Sequence, residues 1–121
     1  DGLFCDRDSV KSRRADWLKV VKVWYRIVAY MAEEKNLDDA SAILSERVGV
    51  KPAEYEPLLV GTKILSPAEA LKAWEKADGL SSVYGSSKVV DDFNVKFKVY
   101  EKPAGIDSYF DPSLTKEVLG K

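Results

Sequence analysis

With 121 residues, the chain is long enough for one domain or for part of a larger one. Its 45% apolar and 32% charged residues are typical of a folded domain, and its net charge of −1 provides no broad basic surface for nucleic acid or for an anionic bilayer. No apolar run approaches the roughly 18–20 residues that a membrane-spanning helix needs. One cysteine and no histidine exclude an internal disulfide, and exclude histidine-based catalytic or zinc sites built from this chain alone.

The first residues predict a short strand. Residues 2–5 form an apolar run that predicts the end of a buried strand, with Cys5 as a buried structural thiol. The polar residues that follow predict one short turn capped by Asp8. Asp1 stands where an initiator methionine would be, which indicates a processed or excised start, so the lack of a visible signal peptide carries little information.

The clearest helix signal covers residues 13–34. Ser12 is a good N-cap, and apolar residues then recur in steps of three and four. The apolar positions continue almost round the middle of this helix: Val20, Val21, Val23, Trp24, Tyr25, Ile27, Val28 and Tyr30. Because such a helix is normally buried on both sides, we expect residues 20–30 to leave an apolar patch larger than roughly the few hundred Å² usual for a monomer, or to hide that patch in a homodimer.

Capping residues predict the remaining helices, which makes the chain mainly α. The predicted starts and stops are Asn36 to Gly49 with Asp38 and Asp39 in the first turn, Pro52 to Gly61 with a kink at Pro57, and Ser66 to Gly79. Residues 80–87 predict a loop rich in serine and glycine. A further helix is expected from Val89, with Asp91 and Asp92 in its first turn and lysines late, ending at Pro103 and Gly105. Asp111 and Pro112 open a last short helix.

Several groups of residues could bind a ligand, but a simpler structural role explains each. They are Trp17, Trp24 and Trp74; Arg13 and Arg14; Asp38 and Asp39; Asp91 and Asp92; and Ser81, Ser82, Ser86 and Ser87 around Gly85. The tryptophans have helical spacing typical of core packing. The arginines fit a solvated helix start, the aspartate pairs fit first-turn charges, and the serines fit a linker. We therefore predict no catalytic, metal or cofactor site, and the sequence assigns no ligand-binding residue.

Four segments in fixed order suggest a family. They read NLDDASAIL at residues 36–44, GVKPAEY at 49–55, GTKILSPAE at 61–69 and YFDPSL at 109–114. Together they resemble the C-terminal part of the nitrate/sulfonate/taurine-type solute-binding proteins, a group that includes pyrimidine-precursor binders. The resemblance covers nearly the whole chain. Leu37 and Ala70 depart from it, where the family often has proline and asparagine, and this weakens the assignment to a subfamily.

The resemblance implies a fragment of an α/β two-lobe periplasmic-binding-protein fold of type II. Residues 1–12 would be the strand and linker that return to the first lobe, and residues 13–121 would be its helical cover. The implied function is capture of a small solute, through lobes upstream of this chain, and its delivery to an ABC importer permease outside the cytoplasm. No enzyme activity and no membrane span are expected.

Two alternatives stay open. One is a free-standing helical protein-interaction module that presents an apolar groove around Trp24. The other is an enzyme, since some pyrimidine-synthesis proteins share the binding-protein fold. Their chemistry relies on histidine and cysteine, and any such catalytic set would lie outside this chain.

Overall fold

The computed structural model describes residues 2–121 and is mainly helical. Helices account for 66% of it, and the described residues contain no strand, as the mainly α prediction requires. The α-helices are α1 Arg7–Ser12, α2 Arg14–Met31, α3 Leu37–Val48, α4 Pro52–Val60, α5 Pro67–Ala73, α6 Val83–Lys96 and α7 Ser113–Val118, with 3₁₀ turns at Glu34–Asn36 and Ile106–Tyr109. They form two compact units, one up to Ser66 and one from Pro67 onward.

The N-terminal segment differs from its prediction. No strand forms over residues 2–5, because the described chain contains no neighbouring strand to supply hydrogen bonds. Cys5, predicted to be a buried thiol, is exposed. Phe4 beside it is 93% exposed and Leu3 is 43% exposed, so this run is not buried as predicted.

The first two helices begin at residues that the sequence pattern did not select. Asp6, not Asp8, caps α1: its Oδ1 accepts hydrogen bonds from the backbone N–H of Asp8 at 3.0 Å and of Ser9 at 2.9 Å. Ser12, predicted to cap the long helix, is the last residue of α1 and donates its hydroxyl to the carbonyl of Asp8 at 2.7 Å. The chain then turns at Arg13, and α2 starts without a side-chain cap.

Helix α2 ends at Met31, earlier than the predicted end at residue 34, and the rest of the first unit follows most of its predicted starts and stops. Asn36 precedes α3, although its side chain donates to the carbonyl of Tyr30 at 2.9 Å and caps no N–H group. Gly49 ends α3 with a φ of 82°, a left-handed conformation that glycine adopts without strain. Pro52 occupies the first turn of α4, which then packs against α3. Pro57 lies inside α4, as predicted.

The second unit corrects three predicted boundaries. Helix α5 ends at Ala73, well before Gly79, and α6 begins at Val83, so Gly85, Ser86 and Ser87 are helical and not a loop. Ser82 makes this early start possible, because its Oγ accepts from the N–H of Tyr84 at 3.2 Å and donates to the carbonyl of Glu75 at 2.6 Å.

The C-terminal end of α6 is also earlier than predicted. The helix ends at Lys96, and Lys98 then adopts a φ of 57°, which turns the chain well before Pro103. At α7 the prediction holds: Asp111 Oδ1 accepts from the N–H of Ser113 at 2.9 Å where the last helix begins.

Gly85 allows the loop before α6 to lie against the helix. A Cβ atom at this buried position would stand 2.6 Å from the carbonyl oxygen of Ala77 and would also collide with the carbonyl oxygen of Gly79. Both are backbone atoms, so they cannot rotate away as a flexible side chain would.

We expect Gly85→Ala to destabilise the fold by about 1–3 kcal/mol, since this clash outweighs the helix preference of alanine, which is worth up to about 1 kcal/mol. Gly61→Ala is the matched control: the nearest atom to its Cβ is 4.0 Å away and its φ is −82°, so its free energy of unfolding should stay the same or rise slightly. Urea denaturation followed by circular dichroism compares the two. Equal stability of both variants would contradict the close approach at Gly85.

Candidate functional site

A buried carboxylate organises the second unit. Asp91 is only 6% exposed and lies in the middle of α6, so its predicted place in a helix first turn is wrong. Its Oδ1 accepts from the Tyr100 hydroxyl at 2.6 Å and from the backbone N–H of Ala104 at 3.0 Å. The carboxylate thus holds the turn after α6 against the helix. The hydrogen bond from the Tyr100 hydroxyl to Asp91 also raises the pKa of that hydroxyl above its ordinary value.

Asp92, the residue after Asp91, has a separate partner. The Asp92 carboxylate is exposed and forms an ion pair with Lys88 at 2.8 Å, one helical turn earlier. The two aspartates therefore bind different groups. Among residues 2–121, no group of three or more acidic or cysteine side chains is placed to hold a metal ion.

An open cleft of about 400 Å³ lies beside this network in the second unit. It is lined mainly by Lys76, Asp78, Tyr84, Lys88 and Asp107. The Lys76 ammonium binds Asp107 at 2.8 Å and lies 5.0 Å from the centre of the Tyr84 ring, and the contact with Asp107 raises the pKa of Lys76. Since Lys76 and Lys88 both bind carboxylates of this chain, an anion entering the cleft would have to displace an existing ion pair.

Tyr84, which lines the cleft, belongs to a cluster of three aromatic rings. Trp74, Tyr84 and Phe110 meet edge to face, with ring centres 5.4–6.4 Å apart. Trp74 is half-buried and packs against these rings, which agrees with the packing role that its helical spacing predicted.

The predicted candidates in the first unit also have structural partners. Trp17 is half-buried and donates its indole N–H to Ser9 Oγ at 2.9 Å, and Trp24 is half-buried. Arg13 forms an ion pair with Asp16 at 3.2 Å in solvent. Asp39, in the first turn of α3, accepts from the Tyr30 hydroxyl at 2.8 Å.

Another candidate surface is an apolar face on α2. Val20, Val23, Ile27 and Tyr30 repeat at intervals of three, four and three residues, and their exposed fractions are 44%, 50%, 51% and 42%. We call these four residues the α2 face. On another side of the same helix Val21 and Val28 are buried. As predicted, the helix leaves apolar side chains exposed. None of the described helices is long and apolar enough to cross a membrane.

Comparisons with protein-family models, curated proteins and solved structures gave no match. The α2 face, the cleft and the Asp91 network are therefore interpreted from their own geometry. The sequence pattern predicted exposed apolar residues on α2, but it did not reveal the role of Asp91. The partners of Asp91 lie 9 and 13 residues further along the chain.

We expect Asp91→Ala to lower the free energy of unfolding by about 2–3 kcal/mol, because the Tyr100 hydroxyl and the Ala104 N–H both lose their acceptor in a partly buried position. Asp92→Ala is the control, since it removes an adjacent, exposed carboxylate and should hardly change stability. Urea denaturation of both variants measures this difference. Equal losses would show that Asp91 does not hold the turn.

Proposed function

We propose that the chain is the C-terminal helical segment of an extracytoplasmic solute-binding protein, which captures a small solute and delivers it to an ABC importer permease. The observation that best supports this is how little of its surface the chain buries. The order of sequence segments described above supplies the family.

The accessible surface is large for a chain of this length. It amounts to 9266 Å². A folded monomer of this length exposes about 6,500 Å², and two independent units of half the length would together expose about 7,900 Å². The excess, about 1,400 Å², is more than the roughly 800 Å² that one partner buries in a typical protein–protein interface. A further layer of protein over these helices would account for it.

The composition of the core agrees with this. The buried apolar side chains are Val21, Val28, Ala40, Ala70 and Leu114, two of which are alanines. Large apolar side chains are exposed on several helices, including the four of the α2 face. In the proposed protein, a β-sheet of the first lobe would lie against the α2 face, and the rest of the chain would form the helical cover.

This same observation favours a segment over a free-standing interaction module. The module would present its apolar groove around Trp24, whereas Trp24 is half-buried and the exposed apolar side chains of α2 are those of the α2 face. The solute site would be formed between lobes and would need residues beyond this chain. No residue of the chain is proposed to be catalytic.

The proposal is tested on the complete gene product. The coding sequence ahead of Asp1 should encode a signal peptide and two β/α-rich stretches, and the full protein should bind one solute of this class with a roughly micromolar Kd in calorimetry. A coding sequence that starts near Asp1, with no such stretches, would refute the proposal.

Residues 1–121 alone should bind nitrate, sulfonates, taurine and pyrimidine precursors no tighter than roughly millimolar, because a cleft between lobes needs both walls to exclude water. Calorimetry on the isolated chain measures this directly. Micromolar binding by the isolated chain would place the site within it and contradict the division proposed here.

The isolated chain should also self-associate through the α2 face, since burial of apolar surface contributes about 25 cal/mol per Å². Replacing Val23 and Ile27 together by serine should shift the mass seen by light scattering towards the monomer. Replacing Lys22 and Arg26, exposed residues of the same helix, by serine is the control and should leave the mass unchanged. A wild-type monomer at all concentrations would argue against an uncovered face.

A further inference from the structure

A second exposed apolar surface lies at the C-terminal end of α6, in the other unit. Val90, Phe93 and Phe97 follow one another at intervals of three and four residues and are 57–58% exposed, and Val99 just after the helix is 66% exposed. The rings of Phe93 and Phe97 lie against each other with centres 4.4 Å apart. We call these four residues the α6 edge. The two rings are therefore already paired within the chain itself.

Lysines accompany the α6 edge. The Lys96 ammonium lies 5.7 Å from the centre of the Phe97 ring, and Lys98, in a left-handed turn, separates Phe97 from Val99. With Lys102, residues 93–102 hold three lysines and one acidic residue, Glu101, a net charge of +2 in a chain whose total is −1. All three lysines are exposed.

The nearest carboxylate on the helix does not cancel this charge. Asp92 lies one turn before Lys96 and already forms its ion pair with Lys88. The carboxylate of Asp91 is buried and faces Tyr100 and Ala104. The α6 edge is therefore an apolar, aromatic surface beside three exposed lysines, which outnumber the one acidic residue of segment 93–102, Glu101.

We propose that the α6 edge binds the surface of an anionic lipid bilayer. Phe93 and Phe97 would enter the boundary between headgroups and acyl chains, and Lys96 and Lys98 would contact the headgroup phosphates, as apolar and basic residues of interfacial helices do. Anionic headgroups surround the inserted rings on all sides, so they can bind the lysines wherever these lie around the rings. A second copy of the chain would instead bring lysines of like charge together.

This inference goes beyond the proposed function and is independent of it. It concerns α6, whereas the proposed sheet lies on α2, and vesicle binding needs no solute. A chain that binds vesicles but belongs to no solute-binding protein would support membrane binding and refute the proposed function. A solute-binding protein whose chain binds no vesicles would support the proposed function and refute membrane binding.

The test is co-sedimentation of residues 1–121 with vesicles of phosphatidylcholine alone or mixed with phosphatidylglycerol. The wild type should bind the mixed vesicles about tenfold or more tightly than the neutral ones, and added salt should weaken this binding. Phe93→Ser with Phe97→Ser, and separately Lys96→Glu with Lys98→Glu, should each reduce binding to the mixed vesicles by about tenfold or more. Circular dichroism checks that both variants keep the wild-type helix content.

The control replaces Ile43 in α3 and Leu58 in α4, exposed apolar residues outside both the α2 face and the α6 edge, by serine and should bind vesicles as the wild type does. The proposal is overturned if the wild type binds neither kind of vesicle, if it binds both equally, or if the control loses as much binding as the phenylalanine variant. It is also overturned if the phenylalanine variant keeps its vesicle binding and only changes the mass seen by light scattering, since the edge would then serve self-association.

Discussion

Burial of apolar surface is the constraint on which the other features of this chain depend. The helices form because their ends are capped and their apolar residues repeat with helical period, but capping stabilises each helix by only about 1 kcal/mol. Packing has to supply the rest. The chain still exposes 9266 Å², and α2 has buried valines on one side and exposed apolar residues on another. In the protein that we propose, these helices would complete their burial against further protein.

Within the second unit, a few polar and steric contacts make up for a small core. Asp91 ties the turn at Tyr100 and Ala104 to α6, while Gly85 lets the preceding loop approach the same helix from the other end. The Trp74, Tyr84 and Phe110 rings pack against one another in the same unit. This arrangement also forms the walls of the cleft, so the shape of the cleft is a consequence of how the unit is held together.

The two exposed apolar surfaces differ in their surroundings, which is why we assign them different partners. The α2 face is aliphatic apart from Tyr30, whose hydroxyl is already bound to Asp39, and such a surface suits the close packing of a sheet. The α6 edge combines a pair of phenylalanine rings with lysines that have room to reach outwards. Flexible basic side chains around aromatic rings suit a lipid headgroup region better than a dry protein interface.

The sequence by itself determined the mainly helical class, the existence of most helices and the uncovered side of α2, because periodicity and capping are local properties of consecutive residues. Gly49, Pro52 and Asp111 act where the pattern placed them. Tertiary structure alone decided the start of α6 and the role of Asp91. In both cases the deciding atoms come from residues distant in the chain: the carbonyl of Glu75 for Ser82, and Tyr100 and Ala104 for Asp91. Local patterns cannot reveal such contacts, since nothing in the spacing of Asp91 and Asp92 distinguishes the buried carboxylate from the solvated one.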